Sequence, residues 1–186
     1  MHKKAFYKIT DNMWKQWNDY HIYELNEEQP KDKDYRFYWL FKQMKGKDIK
    51  TILDVGCGNG WHCKYFHTLG YDIQGIDISE AGIKMAKRLN PKIAFKVQNA
   101  EDGLDGSYDV VFCLATLNCM YFYKRALEHI FKVAKKWVYI TTIKYQSDPL
   151  HKHVWTSKQL KGLLGKYGKV TSIEESPTQI FAEVTL

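Results

Sequence analysis

From residue 49 onward, short apolar and β-branched runs alternate with stretches whose apolar residues recur every three or four positions. Runs of four to eight such residues between turn signals mark strands, and the 3.6-residue period marks helices. The pattern predicts seven strands: Lys50–Val55, Tyr71–Ile76, Ile93–Gln98, Tyr108–Cys113, Val138–Ile143, Val170–Glu175 and Gln179–Thr185. Helices fit between them. Tyr65, Phe66 and Leu69 share a face behind the first strand, with Gly70 as the stop, and Ser79 is placed to cap a helix whose Ala86 and Leu89 point inward. Tyr123, Ala126, Leu127, Ile130, Phe131 and Ala134 are spaced by threes and fours throughout. Leu160, Leu163, Leu164 and Tyr167 repeat that spacing, behind a capping box made of Thr156 and Gln159 with Trp155 and Leu160 as its hydrophobic staple. Strand and helix alternating in this way build a parallel sheet with crossover helices.

The first 45 residues follow a different pattern and hold 11 of the chain's 28 aromatic side chains, Trp14, Trp17, Tyr20, Tyr23, Tyr38 and Trp39 among them. Phe37, Leu40, Phe41 and Met44 form a helical stripe just before the first strand, while Glu27–Asp34 is polar enough to be an exposed loop. The expectation is an N-terminal helical, aromatic-rich lid over 1–48 and a catalytic domain over 49–186. The same aromatics would also serve simply to pack one or two helices on the sheet.

Composition narrows the setting. A chain of 186 residues fits one full-sized domain. It contains no run of about 18 apolar residues, and its start lacks the apolar stretch and small-residue cleavage site of a signal peptide. Cys57, Cys63, Cys113 and Cys119 form no C-x-x-C pair and suit a reducing, cytoplasmic location. The net charge is +7, unevenly spread: +3 over 1–50, −2 over 51–120, +9 over 121–169 and −3 over 170–186. A basic block of this size either faces a phosphate-bearing partner such as RNA or reflects solvated helix faces. Only Arg36, Arg88 and Arg125 are arginines, and arginine forks are the usual readers of nucleic acid.

The candidate chemistry lies in Thr51-Ile52-Leu53-Asp54-Val55-Gly56-Cys57-Gly58-Asn59-Gly60, an apolar strand running into a glycine-rich turn before a helix. Glycines let the backbone turn tightly and approach a ligand closely, and the helix start aims N–H groups at the same space. The dinucleotide fingerprint G-x-G-x-x-G needs its third glycine at 61, where this chain has Trp61, with Gly60 one place earlier. That departure argues against NAD or FAD. Trp61 itself either packs in the core or walls the pocket.

The segment resembles motif I of the class I S-adenosylmethionine-dependent methyltransferases, and the resemblance extends over about 49–186. It implies a Rossmann-like α/β fold: a seven-stranded, mostly parallel sheet with helices on both faces and an antiparallel C-terminal strand. It also implies S-adenosyl-L-methionine as cofactor and S-adenosyl-L-homocysteine as product. The implied contacts are Asp54, Gly56, Cys57, Gly58 and Gly60 around the methionine part, Asp77 and Ile78 at the ribose, Asn99, Ala100 and Glu101 at adenine, and Cys113 and Leu114 in the fourth strand under the cofactor. An aspartate can accept both ribose hydroxyls. The family usually has Asp where this chain has Asn99, which implies altered adenine contact. Asp109, at the start of a strand, is expected to cap a turn.

Several acceptor mechanisms are absent. Leu114-Ala115-Thr116-Leu117 lacks the paired prolines of enzymes acting on exocyclic base amines, no Pro-Cys dipeptide occurs, and Cys113–Met120 contains no acid for a catalytic metal. After the fifth strand, His151 and His153 are alternate residues and so face the same way if extended. Each serves either as a general base or as a loop histidine bonded to backbone or solvent. A His-x-His pair alone is a poor metal site, so no metal is expected. His62, His67 and His129 fall on predicted helices and are expected at the surface. The implied function is methyl transfer to O or N of a small-molecule or saccharide-like acceptor. The alternatives are an RNA methyltransferase using the basic 121–169 face and a non-catalytic S-adenosylmethionine-binding module.

Overall fold

The computed structural model describes residues 35–146 and 150–186. The helices are α1 (Tyr35–Met44), α2 (Trp61–Thr68), α3 (Glu80–Leu89), α4 (Tyr123–Val133) and α5 (Ser157–Leu164). The strands are β1 (Thr51–Val55), β2 (Asp72–Asp77), β3 (Ala94–Val97), β4 (Tyr108–Leu114), β5 (Ala134–Ile143), β6 (Lys169–Glu175) and β7 (Gln179–Thr185). They form one sheet in the order β3-β2-β1-β4-β5-β7-β6. β1 to β5 are parallel, and β7 runs antiparallel to both β5 and β6. This is the seven-stranded, mostly parallel sheet with an antiparallel C-terminal strand that the family resemblance implies.

Side chains along a strand point alternately to the two faces, and the core divides accordingly. Ile52, Val110, Phe112, Tyr139 and Phe181 meet Trp39, Leu40 and Met44 of α1, Cys63 and Phe66 of α2, and Ile83 and Ala86 of α3. Leu53, Val111, Cys113, Val138 and Ile140 face Ala126, Leu127, Ile130 and Val133 of α4 and Leu160 and Leu164 of α5 on the other side. Burial on both faces explains why the central strands read as continuous apolar runs. α1 is part of this core: Trp39 is 1% exposed and packs edge-on against Tyr139. Residues 1–34 of the predicted 1–48 lid lie outside the described residues.

Local signals set several boundaries as expected. Ser79 caps α3 by accepting from the amide of Gly82 at 3.1 Å. The capping box of α5 is formed on both sides, the Gln159 amide donating to Thr156 Oγ1 and the Thr156 amide to Gln159 Oε1. Asp109 accepts from the amides of Lys50 and Thr51 at 2.8 and 3.2 Å, with the Lys136 ammonium 3.4 Å away. The hydrogen bond from Lys50 is the largest influence holding its carboxyl below the usual range.

Four expectations are corrected. β5 begins at Ala134, four residues before the predicted Val138, and Ala134 therefore belongs to the strand and not to the helical face of α4. The helix passes directly into the strand, so no turn signal separates them. Leu89 is 44% exposed, and Ile83 fills the inward place assigned to it. Leu69 and Phe41 are 45% and 50% exposed because their helices bury Cys63 with Phe66, and Trp39 with Leu40. His62 and His129 are half-buried rather than at the surface, and His129 Nδ1 donates to the Ala100 carbonyl at 2.7 Å.

No described helix covers the connection between β3 and β4, and among the described residues a groove of about 390 Å³ opens there over Gln74, Lys96, Leu104 and Tyr108. No described helix is long and apolar enough to cross a membrane.

Candidate active site

The chain moves outward from β1 to β2 and β3, then returns to place β4 on the other side of β1. Such a switch point leaves a crevice at the carboxyl ends of the two strands, where ligands of open α/β sheets bind. The glycine turn and the β4 exit both lie there.

Gly56, Gly58 and Gly60 have φ of 79°, 54° and 77°. A Cβ on Gly56 would lie 2.2 Å from Thr116, and one on Gly60 would lie 2.6 Å from Phe95. The turn thus needs glycine for both conformation and space. The amides of Gly56 and Cys57 donate to the Ile76 carbonyl at 2.8 and 3.0 Å, tying the turn to β2. Asp77, at the end of β2, completes the brace: Oδ2 accepts from the Gly58 amide at 2.9 Å and Oδ1 from the Ser79 amide at 2.8 Å. Each carboxylate oxygen has further lone-pair capacity for a ribose hydroxyl. The N-cap of α2 is Gly60, which brings no side-chain acceptor to the first-turn amides. A turn with glycine at every second place, a helix start without a side-chain cap and an acid at its rim fit an adenosyl cofactor with a carboxylate tail.

Asp54 lies beneath the turn and is 1% exposed. Burial pushes its carboxyl up to about 7, against the Cys63 thiol, which donates to Oδ2 at 3.5 Å. Trp61 is half-buried and packs on the first core, so it is at least partly a structural residue. Ile78 is half-buried beside Asp77. Asn99 is half-buried, and its Oδ1 accepts from the Glu101 amide at 3.0 Å to shape the turn after β3. Ala100 is buried in the second core. Glu101 is 5% exposed, and Oε1 accepts from the amides of Tyr121 and Phe122 at 2.7 and 3.1 Å. Its carboxylate thereby ties the turn after β3 to the segment before α4. Cys113 and Leu114 end β4 with side chains in opposite cores. Burial pushes the Cys113 thiol up to about 12, which makes it an unreactive packing group.

The β4 exit is shaped by residues with no distinguishing local pattern. Ala115 has φ of 54°, a conformation costly for a residue with a Cβ. Thr141 of β5 holds it there, accepting from the Ala115 amide through its carbonyl at 3.0 Å and its hydroxyl at 2.9 Å. A short 3-10 turn, Leu117–Cys119, follows. Asn118 within it is fully buried and fastens three segments together. Oδ1 accepts from the Ile143 amide at 3.0 Å, Nδ2 donates to the His153 carbonyl at 2.7 Å, and its own carbonyl accepts from the amides of Lys152 and His153 at 2.7 and 3.2 Å. Those partners are 25 to 35 residues away, so the sequence offers no local signal for the clamp.

The two candidate histidines lie on this clamped segment. His151, His153 and Trp155 are half-buried, while Lys152, Val154 and Thr156 between them are exposed. This is the shared orientation that alternation predicts. The His153 ring meets Tyr123 edge-on at 4.6 Å, and its Nε2 is buried with no hydrogen-bond partner among the described residues. Among the described residues no group of three or more His, Cys, Asp or Glu is arranged to hold a metal.

The comparisons with known proteins decide the family. Residues 47–182 match the methyltransferase domain model. The chain belongs to the class I S-adenosylmethionine-dependent methyltransferases. S-adenosylmethionine is the cofactor of this domain, as motif I implies. The ubiquinone biosynthesis O-methyltransferase of Hydrogenovibrio crunogenus is 26% identical over 136 residues, covering 68% of this chain and 56% of that protein. The chain spans between 29% and 56% of the length of the first curated relatives it matches. Magnesium protoporphyrin IX methyltransferase from Synechocystis PCC 6803, solved with bound S-adenosylhomocysteine, has the same fold at a TM-score of 0.75 and 17% identity, covering 98% of each chain. The [4+2]-cyclase SpnF also shares the fold, with a TM-score of 0.63, 23% identity, and coverage of 75% of this chain and 59% of that one.

Proposed function

We propose that this methyltransferase moves the methyl group of S-adenosylmethionine to an oxygen or nitrogen of a small-molecule or saccharide-like acceptor. The observation that carries the proposal is the contact between the two loops at the switch point, where Gly56 has no room for a Cβ against Thr116. The cofactor turn and the β4 exit are thereby held against each other, and the β4 exit in turn holds the histidine segment through Asn118.

Bound in the glycine turn, S-adenosylmethionine supplies a methyl group on a sulfonium, open to in-line displacement. The protein's task is alignment, and holding reactants in attack geometry is worth several kcal/mol, up to roughly 7–11 in favourable cases. Asp77 and the glycine turn fix the adenosyl part, and the β4 exit bounds the acceptor side. A hydroxyl acceptor must also lose its proton, and His151 or His153 is the proposed base. A neutral amine needs no base.

RNA is the weaker alternative, because two cations of the basic block are already paired with acids. Lys136 sits by Asp48 and Asp109 at the amino ends of the strands, and Lys144 pairs with Glu175. A module that binds the cofactor without methyl transfer is the other alternative, since the same fold serves a cyclase.

The test is transfer of label from methyl-labelled S-adenosylmethionine to a cell extract, fractionated into small molecules, RNA and protein. Label in the small-molecule fraction supports the proposal, and label confined to RNA or cofactor binding without turnover contradicts it. For a hydroxyl acceptor, replacing the histidine that acts as base by alanine lowers kcat by roughly 10²–10⁴ with cofactor affinity unchanged.

A further inference from the structure

The segment entering α4 carries two aromatic side chains that core packing does not account for. Tyr121 and Phe122 are 49% and 61% exposed. The backbone beneath them is nonetheless firmly held, since the buried Glu101 carboxylate accepts both of their amides. The same turn is fastened again by His129 of α4 through the Ala100 carbonyl. A buried carboxylate is costly unless its bonds are well made, and here those bonds fix the place of two rings that face solvent.

Cations stand over both rings. The Arg125 guanidinium lies 6.0 Å from the centroid of Phe122, and the Lys152 ammonium 5.3 Å from that of Tyr121. Neither is placed by chance: Arg125 is in the first turn of α4, and Asn118 holds the Lys152 backbone. The patch thus joins two exposed rings to two cations on a backbone held from beneath, and it follows the β4 exit along the chain.

We infer that Tyr121, Phe122, Arg125 and Lys152 form the recognition face for the methyl acceptor and select a planar, apolar molecule carrying a carboxylate or phosphate. This rests on the proposed methyl transfer to a small molecule. Exposed rings offer a flat apolar surface to stack on, and the neighbouring cations complement an anionic substituent on the molecule that stacks. Two rings and two cations span one ring system, whereas a nucleic-acid strand is tracked by a longer groove of stacking platforms and charge.

The test is equilibrium dialysis of 2-naphthoate, 2-naphthyl phosphate and neutral 2-naphthalenemethanol against protein saturated with S-adenosylhomocysteine. The anionic probes bind about 3- to 10-fold more tightly than the alcohol, and whichever anion binds better names the group. The Arg125→Ala/Lys152→Ala double variant loses that preference, and Phe122→Ala weakens all three probes. These residues are exposed, so unchanged thermal midpoints and unchanged S-adenosylhomocysteine affinity show that each variant is folded. Equal binding of charged and neutral probes, a preference that survives the double variant, or no binding at 5 mM overturns the inference. Octauridylate displacing the probes with steep salt dependence overturns it in favour of RNA. Failure of S-adenosylhomocysteine itself to bind would instead strike at the cofactor assignment beneath it.

Discussion

The two sides of the crevice are built differently. The cofactor side, from β1 through α3, is held by links that are short in sequence or follow a family pattern: glycines at fixed spacing, Asp77 bracing Gly58 and Ser79, and a serine cap. The side proposed for the acceptor, from the β4 exit to the start of α5, is held by single buried polar groups acting over long distances. Asn118 reaches Ile143 and His153, Thr141 holds Ala115, and Glu101 holds Tyr121 and Phe122. A binding surface made of a repeated local motif suits a ligand shared across a family. One made of long-range clamps can be re-cut for a different acceptor without disturbing the first.

That contrast is open to test, and the largest effect is expected at the junction of the two sides. Gly56→Ala forces a Cβ into Thr116 at a positive φ and should destabilise the fold by about 2–4 kcal/mol. Cofactor binding should fail with it. Thermal unfolding with and without S-adenosylhomocysteine checks this, and an unchanged midpoint with full ligand stabilisation would show that the two loops are not locked together.

Asn118→Ala removes a fully buried amide and strands the Ile143 amide and the His153 carbonyl. The expected cost is about 2–3 kcal/mol in urea unfolding. Turnover should fall while S-adenosylhomocysteine affinity in the folded variant stays near that of the wild type. Equal loss of both would mean that the sides are not separable.

A smaller effect separates the sides by pH. The Asp54 carboxyl titrates at about 7 in the folded protein against an ordinary value of 3.8. The folded state therefore holds the extra proton between those values, and ionisation of Asp54 opposes folding as pH rises through 7. A bound ligand with a cationic amino group near Asp54 favours the carboxylate instead. S-adenosylhomocysteine affinity should rise about tenfold from pH 6 to pH 8, and Asp54→Asn should flatten the rise. A wild-type affinity independent of pH would place the amino group away from Asp54.

What the sequence disclosed follows the same division. The succession of strands along the chain and both helix caps were legible because period and spacing express local geometry, while the glycine turn and Asp77 stood out through the family resemblance. Ala134 was misplaced because α4 runs into β5 without a turn, so the helical period overran its end by one residue. Asn118 was not legible at all: a lone asparagine in Leu117-Asn118-Cys119 carries no sign of partners brought near by folding. Glu101 was assigned to the adenine contact from its place in the motif, and only the fold reveals its bonds to Tyr121 and Phe122. The histidines fall between these cases, since alternation gave their shared direction but not the clamp that sets it.

The glycine turn and Asp77 form the proposed adenosyl cofactor site. Calorimetric titration of S-adenosylhomocysteine into the wild type and Asp77→Ala tests it most directly, with NAD as the control. Wild type should bind one equivalent, and NAD should give no heat. Asp77→Ala loses both the brace on Gly58 and the acceptor for the ribose, so binding should weaken by about 1.5–3 kcal/mol, or roughly 10- to 150-fold in Kd. Absence of binding in the wild type, or equal affinity in the variant, would contradict the account.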